Sequence, residues 1–310
     1  MKLSIIVINY KSQDFIQKCI KSIYFDQDYE IIIVDNENNQ KLMDLLSKIS
    51  NVKIIAFAGN LGFSKGNNRG IEVSKGDYIL TLNADVFLNK DYIIKCIDFL
   101  DHNLQFSSVQ GKLILYNNKN LIDSTGNVIT RSRLAYNRDH KNKDYSIESG
   151  EIFGVCAAAA VYRKTALKKI KINNEYFDND FFAYLEDVDL DWRLRLKGYN
   201  AYFLNTTAAF HIRESTTASK FRFKQALRNR LYLIIKNDNK LSLIFNMLFY
   251  SPILLLLPQR VNNIKLIYKM IKKRKIIQNN SKLTLHQITA LFKKTPWIFY
   301  LKKLLLSNKS

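Results

Sequence analysis

Acidic residues all but vanish from the last third of the chain. From Lys220 to Ser310 there is one, Asp238, against 20 Lys and Arg, so this stretch carries +19 of a formal net charge of +21, while residues 1–219 hold 28 basic and 26 acidic side chains and are nearly neutral. Glycine is missing from the whole of the same stretch: all ten lie at or before Gly198, whereas the three prolines, Pro252, Pro258 and Pro296, lie after it. These imbalances divide the chain into two parts with a boundary near 215–220. Cys19, Cys96 and Cys156 are odd in number, far apart and fit no metal-ligand spacing, which excludes a disulfide framework and leaves three reduced, apolar thiols as the expectation. The N-terminal MKLSIIVINYKS has a short apolar run without a small-residue cleavage site, so it reads as a first strand and not as a signal peptide. Internal repeats and low-complexity linkers are lacking. With 47% hydrophobic and 24% charged residues over 310 positions, global disorder is excluded, and the length allows one large α/β domain with an appendage.

Four short, β-branched runs open the chain: LSIIVIN (3–9), EIIIVDN (30–36), NVKIIAF (51–57) and DYILTLN (77–83). Runs apolar on both faces are the mark of buried parallel strands. Helix-length segments separate them, the first capped by Ser12 with Phe15, Ile16, Cys19, Ile20 and Ile23 on one face, the second KLMDLLSKI. This alternation predicts an open, doubly wound sheet, in which ligands bind beyond the carboxyl ends of the strands, where Asn9, Asp35 and Asp85 fall. From about 105 to 150 the pattern weakens into further strands and loops, and a helix is expected near Lys164. After Ser219 only long helical patterns remain.

Three groups of residues could carry chemistry. Gly62, Gly66 and Gly70 recur every four residues in GNLGFSKGNNRG, either as a small stripe that lets a helix sit close to the sheet or as a helix N-terminus offering N–H groups to a phosphate. A dinucleotide fingerprint is not met, because NYKSQD follows the first strand. Asp85, ending LTLNAD, is a loop cap or a ligand for a hard cation that escorts phosphates. The third group is FFAYLEDVDLDWRLRLKGY, which packs Glu186, Asp187, Asp189 and Asp191 into six residues. In a helix starting near Glu186, Asp189 faces Arg193 and Asp191 faces Arg195 as solvated pairs at a spacing of four. Glu186 and Asp187 are left without partners at the N-terminus, where the helix dipole would keep a carboxylate ionised and fit to act as a base, with Phe181, Phe182, Tyr184 and Trp192 as a partly apolar wall.

In this order, IIVINYKS, IIIVDN, NLGFSKGNNRG, GDYILTLNADV, GEIFGVCAAAAVYRKTAL, FDNDFFAYLEDVDLDWRLRLKGY and FH, the chain resembles the family 2 glycosyltransferases of the GT-A fold, especially their rhamnosyltransferase-like branch. The resemblance covers the first two-thirds. It implies a GT-A α/β domain over 1–218, an open, mostly parallel sheet with helices on both faces; composition and helical pattern, outside the resemblance, make 219–310 a basic amphipathic helical membrane-association region. The resemblance also implies an inverting, metal-dependent transfer of a sugar from a dTDP- or UDP-sugar, dTDP-rhamnose among them, to a hydroxyl of a lipid-linked saccharide or polysaccharide in cell-surface glycan synthesis. On the same ground Asn9, Asp35, Asn60, Gly62, Asn67, Asn83 and Asp85 would bind the donor, with Asp35 reading the base. The family's DxD motif falls on Asn83, Ala84 and Asp85, so Asp85 would be the main ligand of Mg²⁺ or Mn²⁺ and His211 would reach the metal or the diphosphate. Asp187 would be the general base, with Glu186 beside it.

The apolar stretch LSLIFNMLFYSPILLLLP (241–258) is short for crossing a bilayer, is interrupted by Asn246, Ser251 and Pro252, and has basic residues on both flanks. A helix lying on an anionic membrane surface is the expectation, which places the protein on the inner face of the cytoplasmic membrane. Two other readings compete with the enzyme. One is a non-catalytic binder of nucleic acid or another anionic polymer, against which the interleaved Leu and Ile argue; the other is a nucleotidyltransferase on a related sheet, which would have no need of EDVDLDWR.

Overall fold

A computed structural model of the protein describes residues 1–49, 51–143, 147–213, 219–238, 243–244 and 260–294. The four N-terminal runs form β1 (Leu3–Asn9), β2 (Tyr29–Asp35), β3 (Val52–Ala56) and β4 (Tyr78–Asn83), parallel and in the order β3-β2-β1-β4. Leu3, Ile5 and Val7 of β1 enter one core with α1 (Gln13–Lys21), α2 (Gln40–Leu46) and α4 (Tyr92–His102). Ile6 and Ile8 point to the other face, toward α3 (Gly62–Val73) and α5 (Lys164–Lys169). A strand with period-two alternation and no polar face has to be covered by helices on both sides. A Cβ on Gly66 or Gly70 would lie 3.1 or 2.4 Å from Ile8 or Ile6, so these two glycines let α3 sit against β1.

Beyond β4 the sheet turns mixed. β11 (Ala159–Arg163) runs antiparallel between β4 and β6 (Phe106–Leu115), and β12 (Asn200–His211) runs parallel to β6 and pairs with β10 (Gly150–Ile152) at the edge. Short β5 (Val86–Leu88) pairs with the end of β12, β7 (Ile122–Ser124) pairs with β6, and β8 (Asn127–Ile129) and β9 (Ala135–Asn137) form a separate hairpin. The three cysteines are buried as free thiols.

The helix α6 (Glu186–Leu196) has two apolar stripes instead of one. Leu190 and Leu194 join the core under the sheet, while Val188, Trp192 and Leu196 face α7 (Ser219–Asn237), α8 (Arg260–Asn279) and α9 (Leu285–Ala290). The C-terminal helices therefore form a further layer over α6, and Phe181 and Trp192 lie inside that interface, Trp192 with its ring 5.0 Å from that of Phe292. Several basic residues of this region turn inward. Lys236 lies 2.6 Å from both Asp178 and Asp189, and Lys273 lies 2.5 Å from Asp178 and 2.7 Å from Asp180. Lys265, Lys272 and Lys275 remain exposed. Among the described residues no helix is long and apolar enough to cross a membrane, and the stretch 241–258 lies outside the described residues except for 243–244.

Candidate active site

A cavity of about 710 Å³ opens at the carboxyl ends of β1 and β4, within the roughly 300–1,000 Å³ range of small-molecule sites. Asn60, Gly62, Asn83, Asp85, Glu186, Asp187 and His211 all line it. Asn9, Asp35 and Asn67 do not. Asn9 and Asp35 are buried against each other, the Asn9 amide donating to Asp35 at 2.7 Å, and Asp35 also accepts from the backbone of Asn39 at 2.7 Å and of Glu37 at 3.2 Å. Ser12 precedes α1, but its hydroxyl donates to Asn9 at 2.7 Å and does not cap the helix, which corrects the expected role. Asn67 is buried in α3 and donates to the Phe63 carbonyl at 3.0 Å.

At one end of the cavity, pairing of β12 with β5 sets His211 opposite Val86, one residue beyond Asp85. The imidazole Nε2 lies 3.4 Å from an Asp85 oxygen and Nδ1 lies 2.7 Å from an oxygen of Asp123 on β7. Burial alone would depress the imidazolium, but hydrogen bonds to Asp123 and Asp85, with their charges, raise His211 to about 9. Asp123 is fully buried and also meets His140 and Arg213; burial opposes its ionisation, yet these partners hold its carboxyl well below the usual range. Among the described residues no group of three or more His, Cys, Asp or Glu is arranged to hold a metal ion. Asp85 and Asn83 nevertheless present oxygen donors to one cavity, and His211 adds an imidazole nitrogen once a cation displaces its Nε2 proton, a set that suits a hard dication completed by phosphate oxygens and water.

At the α6 end, Asp187 accepts from the backbone N–H of Val188 at 2.8 Å and of Ala157 at 3.3 Å. Glu186 is buried, and its Oε2 has no hydrogen-bond partner. Burial raises Asp187 against its hydrogen bonds, and burial together with the Asp187 charge raises Glu186 well above the carboxylate range. The helix N-terminus is thus outweighed by desolvation, the reverse of the sequence expectation. Phe182 and Tyr184 line the cavity wall as expected, whereas Phe181 and Trp192 do not.

The other two carboxylates of α6 are not solvated. Asp189 pairs with Arg193 at 3.0 Å as its spacing predicts, but both side chains are buried. The expected Asp191–Arg195 pair is not formed. Arg195 reaches Glu151 and Asn200, each at 2.6 Å, and the carbonyls of Phe153 and Ile152. Asp191 instead accepts from Asn127 at 2.9 Å and from the Val155 N–H at 3.2 Å, and a Cβ on Gly154 would come within 2.0 Å of its carboxyl, so only glycine fits there. Gly62 at the cavity wall is constrained as well: it has φ +77 and would meet Phe182 at 2.5 Å if it carried a Cβ. Asp123, Asn127 and Arg213 are site residues that the sequence reading missed, and Asp123 and Asn127 come from the stretch in which its pattern was weakest.

The model of glycosyl transferase family 2 matches residues 4–171, from β1 through α5. The chain belongs to glycosyl transferase family 2. The match ends before α6 and β12, so Glu186, Asp187 and His211 lie beyond it. Rhamnosyltransferase WbbL of Escherichia coli (strain K12) is 25% identical over 269 residues, 78% of this chain and 98% of that protein. The poly(ribitol-phosphate) β-glucosyltransferase of Bacillus spizizenii (strain ATCC 23059 / NRRL B-14472 / W23) is 32% identical over 122 residues, 36% of this chain and only 19% of that protein. Among solved structures, S. aureus TarS 1–349 in complex with UDP has a TM-score of 0.53 at 19% identity, covering 77% of this chain and 67% of that one. GalNAc-T7 with UDP, GalNAc and Mn²⁺ has a TM-score of 0.68 at 12% identity, covering 94% and 56%. These likenesses show the GT-A fold, and the protein is a glycosyltransferase of the nucleotide-sugar type.

Proposed function

We propose that this glycosyltransferase inverts configuration as it moves a sugar from a UDP- or dTDP-sugar to a hydroxyl of a lipid-linked saccharide or polysaccharide in cell-surface glycan synthesis. The observation that carries the reading is one cavity lined at one end by Asp85 and His211 and at the other by Glu186 and Asp187. Asn60, Gly62 and Asn83 would meet the donor directly, and Asn9, Asp35 and Asn67 would support that wall. Asp187 takes the proton from the attacking hydroxyl; its raised pKa brings it nearer to the working pH of a base, and Glu186 orients the acceptor. Asp85 and His211 would hold Mg²⁺ or Mn²⁺, which when bound supplies charge stabilisation to the departing diphosphate. The names of the relatives support a polymeric glycan as acceptor and rhamnose among the donor sugars.

The outward face of the C-terminal helices supports a peripheral seat on an anionic membrane surface, on the cytoplasmic side. Phe223, Tyr268 and Ile271 are exposed there, with Lys265, Lys272 and Lys275 exposed on α8. The test is a panel of UDP-, dTDP- and GDP-sugars offered with a lipid-linked acceptor, with and without chelator, scored for transfer and for product anomeric configuration. Transfer from a UDP- or dTDP-sugar that Asp85→Ala abolishes is the expected result. Undiminished transfer by that variant in excess chelator would sink the metal assignment, and retention of configuration would sink the base.

A further inference from the structure

Asn229 lies on α7, in the part of the chain that composition sets apart from the catalytic region, yet it is fully buried under the loop that leads into α6. Its Nδ2 lies 2.8 Å from the carbonyl oxygens of Phe181 and Ala183 and 2.7 Å from that of Tyr184. Its Oδ1 accepts from the Arg228 guanidinium at 3.1 and 3.2 Å, which fixes the amide's orientation. One turn earlier, Gln225 donates to the same Phe181 carbonyl at 2.8 Å, and Arg228 reaches the Asp180 carbonyl at 3.2 Å. From the opposite side, the Ser64 N–H of α3 donates to the Phe182 carbonyl at 3.1 Å. Every carbonyl from Asp180 to Tyr184 is thus held, three of them by one side chain.

That loop is where the backbone is least regular. Phe182, Tyr184 and Leu185 have φ of 63, 71 and 66, the left-handed region that non-glycine residues occupy only when their surroundings over-determine it. The next two residues are Glu186 and Asp187. The two N–H groups of the Asn229 amide are shared among three converging carbonyls, so one of them is bifurcated, whereas a carboxylate in its place would offer acceptors alone.

We propose that Asn229 is a positioning residue of the transferase. It holds the 180–185 loop in its left-handed path, so that Phe182 and Tyr184 wall the cavity and the acid pair enters it at the start of α6. The C-terminal helices are then part of the active site as well as a candidate membrane face. This inference rests on the reading of Glu186 and Asp187 as acceptor-side machinery.

The full-length chain and its Asn229→Ala, Asn229→Asp and Gln225→Ala variants would be compared in three measurements: amide hydrogen exchange, UDP and dTDP affinity by calorimetry, and single-turnover transfer from whichever nucleotide sugar the wild type uses. The amides of Phe182 and Ala183, bonded to the carbonyls of Asn179 and Phe181, report on the loop. In Asn229→Ala they should exchange about tenfold faster or more, and faster still in Asn229→Asp, while amides of β1 and β4 keep wild-type rates. Transfer should fall roughly a hundredfold, with nucleotide affinity unchanged within about twofold. Gln225→Ala leaves all three carbonyls bonded to Asn229, removing only the second donor to Phe181, and should show a smaller effect of the same kind. Loop and sheet exchange rising together would make Asn229 a general stabiliser and overturn the proposal, as would wild-type transfer from a loosened loop or wild-type exchange at Phe182 and Ala183. A wild type that transfers from no nucleotide sugar would defeat the functional reading instead, and exchange alone would then decide whether Asn229 holds the loop.

Discussion

Replacing Lys236 by methionine keeps the length and much of the volume of the side chain and removes one buried ammonium. Its Nζ lies 2.6 Å from Asp178 and 2.6 Å from Asp189, and the residue is fully buried. Neither carboxylate is left bare: Asp178 retains Lys273 at 2.5 Å, and Asp189 retains Arg193 at 3.0 Å and Asn237 at 2.7 Å. Two negative charges would nevertheless share less compensation in a medium that screens poorly. Removing one partner of a buried pair costs about 3–5 kcal/mol. An unfolding entropy of roughly 2.1 cal/mol/K per residue over the 310 residues gives about 0.65 kcal/mol/K, so the melting temperature should fall by about 5–8 °C. Urea unfolding followed by tryptophan fluorescence, to which Trp192 contributes from the same interface, would measure the loss. Lys275→Met, at an exposed position of α8, is the control and should stay within about 0.5 kcal/mol of wild type. A midpoint for Lys236→Met as small in its shift as that of Lys275→Met would refute the claim that buried ion pairs dock the C-terminal helices.

Asp187→Asn should lower turnover by about two to four powers of ten with nucleotide affinity unchanged, and single-turnover rates beside Glu186→Gln check the assignment: an inactive Glu186→Gln with a normal Asp187→Asn would exchange the two roles. Asp191→Asn should cost about 1–3 kcal/mol in urea midpoints, because an amide N–H₂ would face the Val155 N–H or the Asn127 amide; a shift of a few tenths, as for an exposed ion pair, would contradict the buried arrangement. The stability gap between wild type and Lys273→Met should be flat between about pH 5 and 9 and shrink on both sides. Burial opposes both charges, but Lys236 and Lys273 hold the Asp178 carboxyl well below its unfolded value of about 3.9, so its contribution is present above that pH and lost as pH falls. Asp178 and Asp180 raise Lys273 to about 12, so its contribution is complete below its unfolded value of about 10.4 and lost as pH rises through 12. Urea midpoints across that range check this, and a gap that widens in acid would contradict it.

The parallel strands β1 to β4 were legible to within a residue or two because unbroken β-branched runs leave a buried strand few alternatives, and the start of α6 at Glu186 was legible as well. The surroundings of α6 were not. A spacing of four predicts which side chains can meet on one helix, and it held for Asp189 with Arg193. It says nothing of competitors from elsewhere in the chain, and Arg195 found Glu151 and two strand-edge carbonyls while Asp191 found Asn127. The apolar positions Val188, Trp192 and Leu196, opposite Leu190 and Leu194, were the available sign that both flanks of the helix would be covered, which turns a surface ion pair into a buried one. In α8 the inward lysine also had a signal: Met270, Lys273 and Ile277 fall on one stripe, and Lys273 is buried with them. Asp123 and Asn229 had none. Each acts through partners brought together by pairing of distant strands or docking of distant helices, and neither lies in a motif.

The layering of α6 between sheet and C-terminal helices also orders events during synthesis. The half-sheet β3-β2-β1-β4 uses only residues up to Asn83 and can pair as soon as those have left the ribosome, since N-terminal units fold first. Its neighbour β11 arrives about 80 residues later, at Ala159–Arg163, and the loop ahead of α6 gains Asn229 and Lys273 only after α7 and α8 have emerged. A nascent chain would therefore hold an ordered half-sheet long before the loop ahead of Glu186 and Asp187 is fixed, and that end of the cavity would take shape only when nearly the whole polypeptide had been made.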